Sequence, residues 1–190
     1  MRIIAGICRG KKLKSVKGTK TRPTADRVKE AVFNVLGPRI FDANFLDLFS
    51  GTGSIGIEAL SRGAEFAYFV EEDRNALQVI KENIQGCAME EKSKILPLDW
   101  VKALNNMENI IKFHLVYMDP PYKLEIIEQL LEKLVEKNLL NENGIVIAET
   151  SANAQTPSGF KNLTWVREKR YGDTKITYYQ FKEEDNNGSI

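Results

Sequence analysis

From residue 45 to residue 149 the chain alternates short apolar runs with amphipathic stretches, and this alternation limits its fold more than any other feature. Phe45–Phe49, Phe66–Glu71, Lys94–Leu98, Phe113–Met118 and Gly144–Glu149 read as buried strands. Ile55–Arg62, Arg74–Gln85, Trp100–Met107 and Leu124–Lys137 read as the helices between them. Parallel strands need a crossover, and a helix is the usual one, so the pattern predicts a parallel sheet covered on both faces. The end of the chain departs from it. Leu163–Lys169 and Lys175–Phe181 are joined through Tyr171-Gly172-Asp173-Thr174, a connection short enough to require antiparallel pairing. The expected fold is therefore α/β, a mostly parallel sheet that finishes in an antiparallel hairpin.

Open parallel sheets bind ligands at the carboxyl ends of their strands, and the sequence places acids and tight turns there. The first strand runs into Asp47-Leu48-Phe49-Ser50-Gly51-Thr52-Gly53-Ser54-Ile55-Gly56. Gly51, Gly53 and Gly56 have the spacing of a dinucleotide fingerprint, and Glu71 closes the second strand. A nicotinamide-dependent oxidoreductase is thus one reading. Asp47 opposes it, because a carboxylate beside that loop repels a pyrophosphate. A ligand with a cationic end and no phosphate fits better, and S-adenosylmethionine is such a ligand. On that reading Asp47 attracts its ammonium group, with Ser50, Gly51 and Gly53 letting backbone approach. The helix amino terminus receives its carboxylate. Glu71 accepts from the ribose hydroxyls, Asp99 accepts from the adenine amino group, and Trp100 lies against the ring. Asp47 and Asp99 could equally cap the helices that follow them, as could Glu72 and Asp73.

The fourth strand stops at Asp119-Pro120-Pro121-Tyr122. Two prolines fix a rigid turn and leave a carbonyl with no competing local N–H. A carboxylate, a carbonyl and an aromatic ring at one strand end suit a planar amino group such as a nucleobase carries. Residues 1–39 hold eleven Lys and Arg against Asp26 and Glu30, which is +9 and leaves −8 for the rest. A basic arm on an acidic body points to a polyanion, with Arg9, Lys11, Lys12, Arg22 and Arg27 as phosphate contacts. Arg22 and Arg27 could instead brace the cofactor loop. Residues 2–16 read as a short hairpin with a basic tip, and Thr24 as the cap of a helix over 25–36.

Other classes are disfavoured. With 43% apolar residues in 190, the chain can bury one full core. No apolar stretch reaches membrane-spanning length. His114 is the only histidine and begins a strand, and two cysteines, Cys8 and Cys87, give no metal or disulfide framework. A monomeric cytoplasmic protein without a metal is expected, divided into a basic extension (1–39), a catalytic domain (40–182) and a polar tail (183–190).

Together these residues resemble a class I S-adenosylmethionine-dependent methyltransferase. Asp47–Gly53 is similar to its first motif, and Asp119–Tyr122 to the [Asn/Asp/Ser]-Pro-Pro-[Tyr/Phe] motif of enzymes that methylate exocyclic amino nitrogens. The amino-terminal segments Arg2-Ile3-Ile4-Ala5-Gly6, Arg9-Gly10-Lys11-Lys12-Leu13 and Arg22-Pro23-Thr24-Ala25-Asp26-Arg27-Val28-Lys29-Glu30 resemble the signature of the RsmD family. The resemblance runs from Arg2 to about Phe181. It implies a Rossmann-like sheet of seven strands with a small basic amino-terminal hairpin and helix. It implies methyl transfer to the N2 amino group of a guanine in 16S ribosomal RNA, within the small ribosomal subunit. In that role Asp119 and the Pro120 carbonyl would accept the amino hydrogens and Tyr122 would stack on the base. Methylation of another nucleic acid, and a non-catalytic RNA-binding module on the same fold, are the remaining readings.

Overall fold

A computed structural model describes residues 1–16, 26–121 and 125–182. Helix α1 (Asp26–Leu36) precedes the alternating region: β1 (Asn44–Asp47), α2 (Ser54–Ser61), β2 (Phe66–Val70), α3 (Arg74–Gly86), β3 (Ser93–Leu96), α4 (Trp100–Met107), β4 (Phe113–Met118), α5 (Glu125–Glu136) and β5 (Leu140–Ser151). Three strands close the chain: β6 (Gly159–Phe160), β7 (Leu163–Tyr171) and β8 (Thr174–Phe181). They form one sheet of order β3-β2-β1-β4-β5-β8-β7-β6. Strands β1 to β5 pair parallel, and β8 enters antiparallel beside β5 with β7 antiparallel beside it.

The α/β fold with an antiparallel finish is as the sequence predicts. The sheet has eight strands rather than seven. The additional strand, β6, is two residues long and pairs only with β7. Two residues are too few to show a period of two, and Gly159 at φ 134° reads in sequence as a loop residue.

The period of the strands sorts the core into two layers. Phe45, Leu115, Tyr117, Ile145 and Ile147 face α1, α2 and α3 through Val32, Phe33, Ile57 and Ile80. Leu46, Val116, Met118, Val146 and Ala148 face α4 and α5 through Leu104, Ile127, Leu130 and Leu134. Strand order reverses between β1 and β4, which opens a crevice at their carboxyl ends.

The amino-terminal arm is built into the first layer. All eight residues of α2 are buried, including Glu58, because the arm covers the face that would otherwise meet solvent. Glu58 accepts from the N–H groups of Ile4 (2.8 Å) and Ala5 (3.0 Å) and from Arg62 Nε (2.8 Å). Lys29 of α1 lies 3.3 Å from it, and Lys29 Nζ also donates to the Arg2 carbonyl at 2.6 Å. Burial pulls the Lys29 ammonium below its ordinary value, and Glu58 opposes that shift. The expected hairpin is present in short form: the Leu13, Ile3 and Gly10 N–H groups donate to the Met1, Lys11 and Ile3 carbonyls around an antiparallel Arg2–Lys12 bridge. It is not extended further, because Ile4 and Ala5 give their donors to Glu58, while Ile7 and Cys8 give theirs to Ser61. The expected cap Thr24 lies outside the described residues.

Removing one partner of a buried pair strands the other charge. Glu58→Ala should lower unfolding free energy by ~3–5 kcal/mol in urea titrations. Arg2→Ala, which breaks only the exposed pair with Asp26, should cost less than ~1 kcal/mol. Equal losses would contradict the assignment of Glu58 as the arm's anchor.

Candidate active site

The glycine-rich turn is held from below by Asp47, the last residue of β1, which is 2% exposed. The cap position of α2 is Gly53, which has no side chain to satisfy the helix donors. Asp47 replaces it across the loop, with Oδ2 accepting the Gly56 N–H at 3.0 Å. Ser50 locks the turn: its hydroxyl donates to the Asp47 carbonyl (2.8 Å) and its N–H to the Val70 carbonyl (3.0 Å). Gly51 and Gly53 take φ of 54° and 76°, the left-handed region that glycine occupies without strain. Gly56 is needed for a different reason, since a Cβ there would stand 2.3 Å from the Phe69 ring of β2. The three glycines therefore do what a nucleotide-type turn requires: two shape the loop and one lets the helix close on the sheet.

Glu71, just past β2, ties this loop to the next one. Its Oε2 accepts the Gly51 N–H at 2.8 Å, and its Oε1 accepts from Glu72 and Asp73 at 2.9 Å each. Asp73 caps α3 through the Ala76 N–H at 2.8 Å. Asp119 follows β4 beside them. It is open to solvent in the crevice although walled by protein, and burial pushes its carboxyl above the ordinary range, with Glu149 and Asp47 adding to the shift. Asp47 is pushed up to about 7, by burial first and by Glu71 second, against the pull of the Gly56 N–H.

Glu149 is a site residue that the sequence reading did not single out. It continues the inward parity of Ile145 and Ile147 on β5, as Asp47 continues Phe45 on β1 and Asp119 continues Leu115 and Tyr117 on β4. It is 8% exposed and accepts the Tyr117 hydroxyl. The available signal was its place, an acid at the carboxyl end of the apolar run Ile145–Ala148, as Asp47 stands on β1.

The other expected residues divide. Asp99 caps α4 through the Lys102 N–H (3.0 Å) and pairs with Lys102 Nζ (2.9 Å), which hold its carboxyl below the ordinary range. Trp100 packs on the α4–α5 layer and lines a groove with Gln129, Glu132 and Lys133. Arg9, Lys11 and Lys12 are exposed. The arm's tip docks on Ser61 at the end of α2, and Lys11 lies against Gly86 at the end of α3. Ser61 is the far end of α2 from the glycine turn, ~12 Å along the helix. Arg27 is exposed on the first turn of α1. Pro120 is buried, while Tyr122 and Arg22 lie outside the described residues. His114 has a structural role, its Nδ1 accepting the Asn44 N–H at 3.0 Å.

A crevice with this composition fits a cationic ligand. Its carboxylates repel one another, and their charge is relieved by a positive group. The α2 amino terminus, glycine-capped, faces the same loop and suits a carboxylate. A phosphate-bearing dinucleotide meets Asp47 and Glu71 instead and is not favoured.

Sheet order, glycine turn and strand-end acids define a class I S-adenosylmethionine-dependent methyltransferase. The family model described as conserved hypothetical protein 95 matches residues 1–180, and the chain belongs to that family. Ribosomal RNA small subunit methyltransferase D of Haemophilus influenzae is 38% identical over 186 residues, covering 95% of this chain and 93% of that protein. YlbH of Bacillus subtilis is 38% identical over 181 residues, covering 95% of this chain and 98% of that protein. The solved structure of yhhF from Escherichia coli is 32% identical, with a TM-score of 0.86 over 97% of this chain and 99% of that one. The resemblance read from the amino-terminal signature is borne out.

The titration of Asp47 gives a signed prediction. Because its folded value of about 7 lies above the ordinary one, its contribution to stability is full only below the unfolded value, about 4, and is lost as pH rises through the folded one. Without added ligand, melting temperature should fall between about pH 4 and about pH 7. Asp47→Asn keeps an oxygen for the Gly56 N–H but cannot ionise. It should melt above wild type at about pH 8 and converge with it only at about pH 4. Parallel curves would contradict the assignment.

Proposed function

We propose that the protein transfers the methyl group of S-adenosylmethionine to the exocyclic N2 amino group of a guanine in 16S ribosomal RNA, within the assembled small subunit. The observation that carries this reading is the Asp119–Pro120 turn beside the Asp47 loop, a holder for an amino group next to a holder for a cationic donor. The relatives named ribosomal RNA small subunit methyltransferase D support the substrate class. The protein acts in the cytoplasm as a monomer and without a metal. Residues 1–39 form the RNA-contacting extension, with Arg9, Lys11, Lys12, Arg22 and Arg27 toward phosphates. Residues 40–182 carry catalysis, and 183–190 are a polar tail. Contacts at the far end of α2 from the glycine turn are compatible with this role, because phosphate contacts position a nucleic acid while base contacts specify it.

When bound, the donor supplies an electrophilic methyl on a sulfonium. Asp47 holds its ammonium end, the α2 amino terminus its carboxylate, Glu71 its ribose, and Asp99 with Trp100 its adenine side. Ser50, Gly51 and Gly53 keep the loop close. The target base must leave its stack to reach the crevice. Its amino lone pair is delocalised into the ring and is a weak nucleophile. Asp119 and the Pro120 carbonyl accept the two amino hydrogens, which favours a pyramidal nitrogen with its lone pair toward the methyl. Tyr122 stacks on the base, a contact worth ~1–3 kcal/mol. Once the methyl has arrived, the nitrogen sheds a proton. Asp119, raised above the ordinary carboxylate range by burial and by its acidic neighbours, is well matched to take it.

The test is labelled methyl transfer to small subunits from cells lacking this protein, followed by mapping of the modified base. Transfer to one guanine N2 is expected, and Asp119→Ala should lower the turnover rate by ~10²–10⁴-fold. Near-wild-type turnover in that variant, or label on another atom, would overturn the reading.

A further inference from the structure

The Asp119 turn explains why an exocyclic amino group is held. It does not by itself choose among guanine, adenine and cytosine, all of which carry one. The choice lies in what stands next to the amino group. Adenine and cytosine place a ring nitrogen lone pair there, an acceptor. Guanine alone places a ring N–H there, a donor. A site with a second acceptor beside Asp119 selects guanine, because only its N1 edge answers with a donor.

The second acceptor is Glu149. Met118 and Ala148 are direct partners in the parallel β4–β5 pair, so the next residues, Asp119 just past β4 and Glu149 still within β5, stand at the same level. Adjacent strands stand about 4.8 Å apart, within the span of a single base edge and two carboxylate side chains. The two also share a face, since both continue the parity of the layer that holds Tyr117 and Ile147. Asp119 senses Glu149 electrostatically more than it senses Asp47.

Glu149 is also fixed in place. The Tyr117 hydroxyl donates to its Oε2, and Tyr117 itself is 1% exposed and packed in the core. A carboxylate offers about four lone-pair sites, so a tyrosine clamp on one oxygen leaves acceptor capacity. Glu149 retains 8% exposure at the crevice end of β5. Such an arrangement holds a carboxylate at a defined angle for one incoming donor and presents a lone pair to any base that brings an acceptor.

We propose that Glu149 accepts the N1–H of the target guanine while Asp119 and the Pro120 carbonyl hold its N2 amino group. Glu149 is thereby the residue that sets base specificity, and Tyr117 is its positioning residue. The proposal rests on the guanine-N2 reading above and adds the contact that reads the base.

The test uses small subunits reassembled from ligated 16S RNA that carries either guanine or 2-aminopurine at the methylated position. 2-Aminopurine keeps the 2-amino group but has a lone pair at N1. The wild-type protein should prefer guanine by ~10²-fold or more in kcat/KM. Glu149→Gln can offer an amide N–H to that lone pair, and it should shrink the preference at least ~tenfold while S-adenosylhomocysteine affinity stays unchanged. Tyr117→Phe, which removes the hydroxyl clamp but keeps the charge of Glu149, should shrink the preference part-way. A preference unchanged in Glu149→Gln, with both substrates slowed equally, would overturn the proposal and leave Glu149 a structural acid. Equal wild-type rates on the two bases would overturn it without any variant. If wild-type protein labels no guanine N2 at all, the functional reading itself fails, and that result is distinct from a failure of the specificity assignment.

Discussion

Three carboxylates at the carboxyl ends of three neighbouring strands, on one face of one sheet, set the terms for the rest of this molecule. Asp47, Asp119 and Glu149 end there because each continues the inward parity of its strand past the last apolar residue. They repel one another and are partly stripped of water, so two of them hold protons more tightly than free carboxylates. An arrangement of this kind is costly unless something positive or rich in donors comes to it. The glycine turn, the Asp47-capped helix and the proline turn shape the space in which such groups arrive. Stability is given up at the candidate site, a common distribution in enzymes.

The stability lost there is regained elsewhere, and Glu58 is part of that. It gathers the arm, α1 and the end of α2 around one fully buried carboxylate. The arm is thereby part of the core, with Ile3 as buried as Phe45. Its tip docks on Ser61 at the end of α2, while Met1 and Lys14 reach the glycine turn through Thr52 and Asn83.

Much of this was legible in the sequence. The bounds of α4 and β4 came out at Trp100–Met107 and Phe113–Met118 because an N-capping Asp99 and a double proline mark them. The parallel sheet and its antiparallel finish followed from connection lengths alone. The glycine spacing and the acids at 47 and 71 marked the cofactor end. What escaped depended on tertiary contacts. Strand β6 has no period because it has two residues. The hairpin stays short because a buried glutamate on another element takes the donors of Ile4 and Ala5. Glu58 itself looked like an ordinary helix-surface acid until the arm was laid over α2. Glu149 looked like a strand end until Tyr117 and Asp119 were brought beside it. Asp99 has the capping duty that the sequence offered as an alternative, and Trp100 packs on the α4–α5 layer, a contact the sequence did not announce.

The central claim is that the acids at the strand ends are tuned for a cationic donor, with Asp47 holding a proton near neutrality until that donor arrives. Calorimetric titration of S-adenosylmethionine at about pH 7, in two buffers of different ionisation enthalpy, measures it directly. The account predicts net proton release on binding, shrinking in Asp47→Asn. Binding with no proton exchange, or with proton uptake, would contradict it.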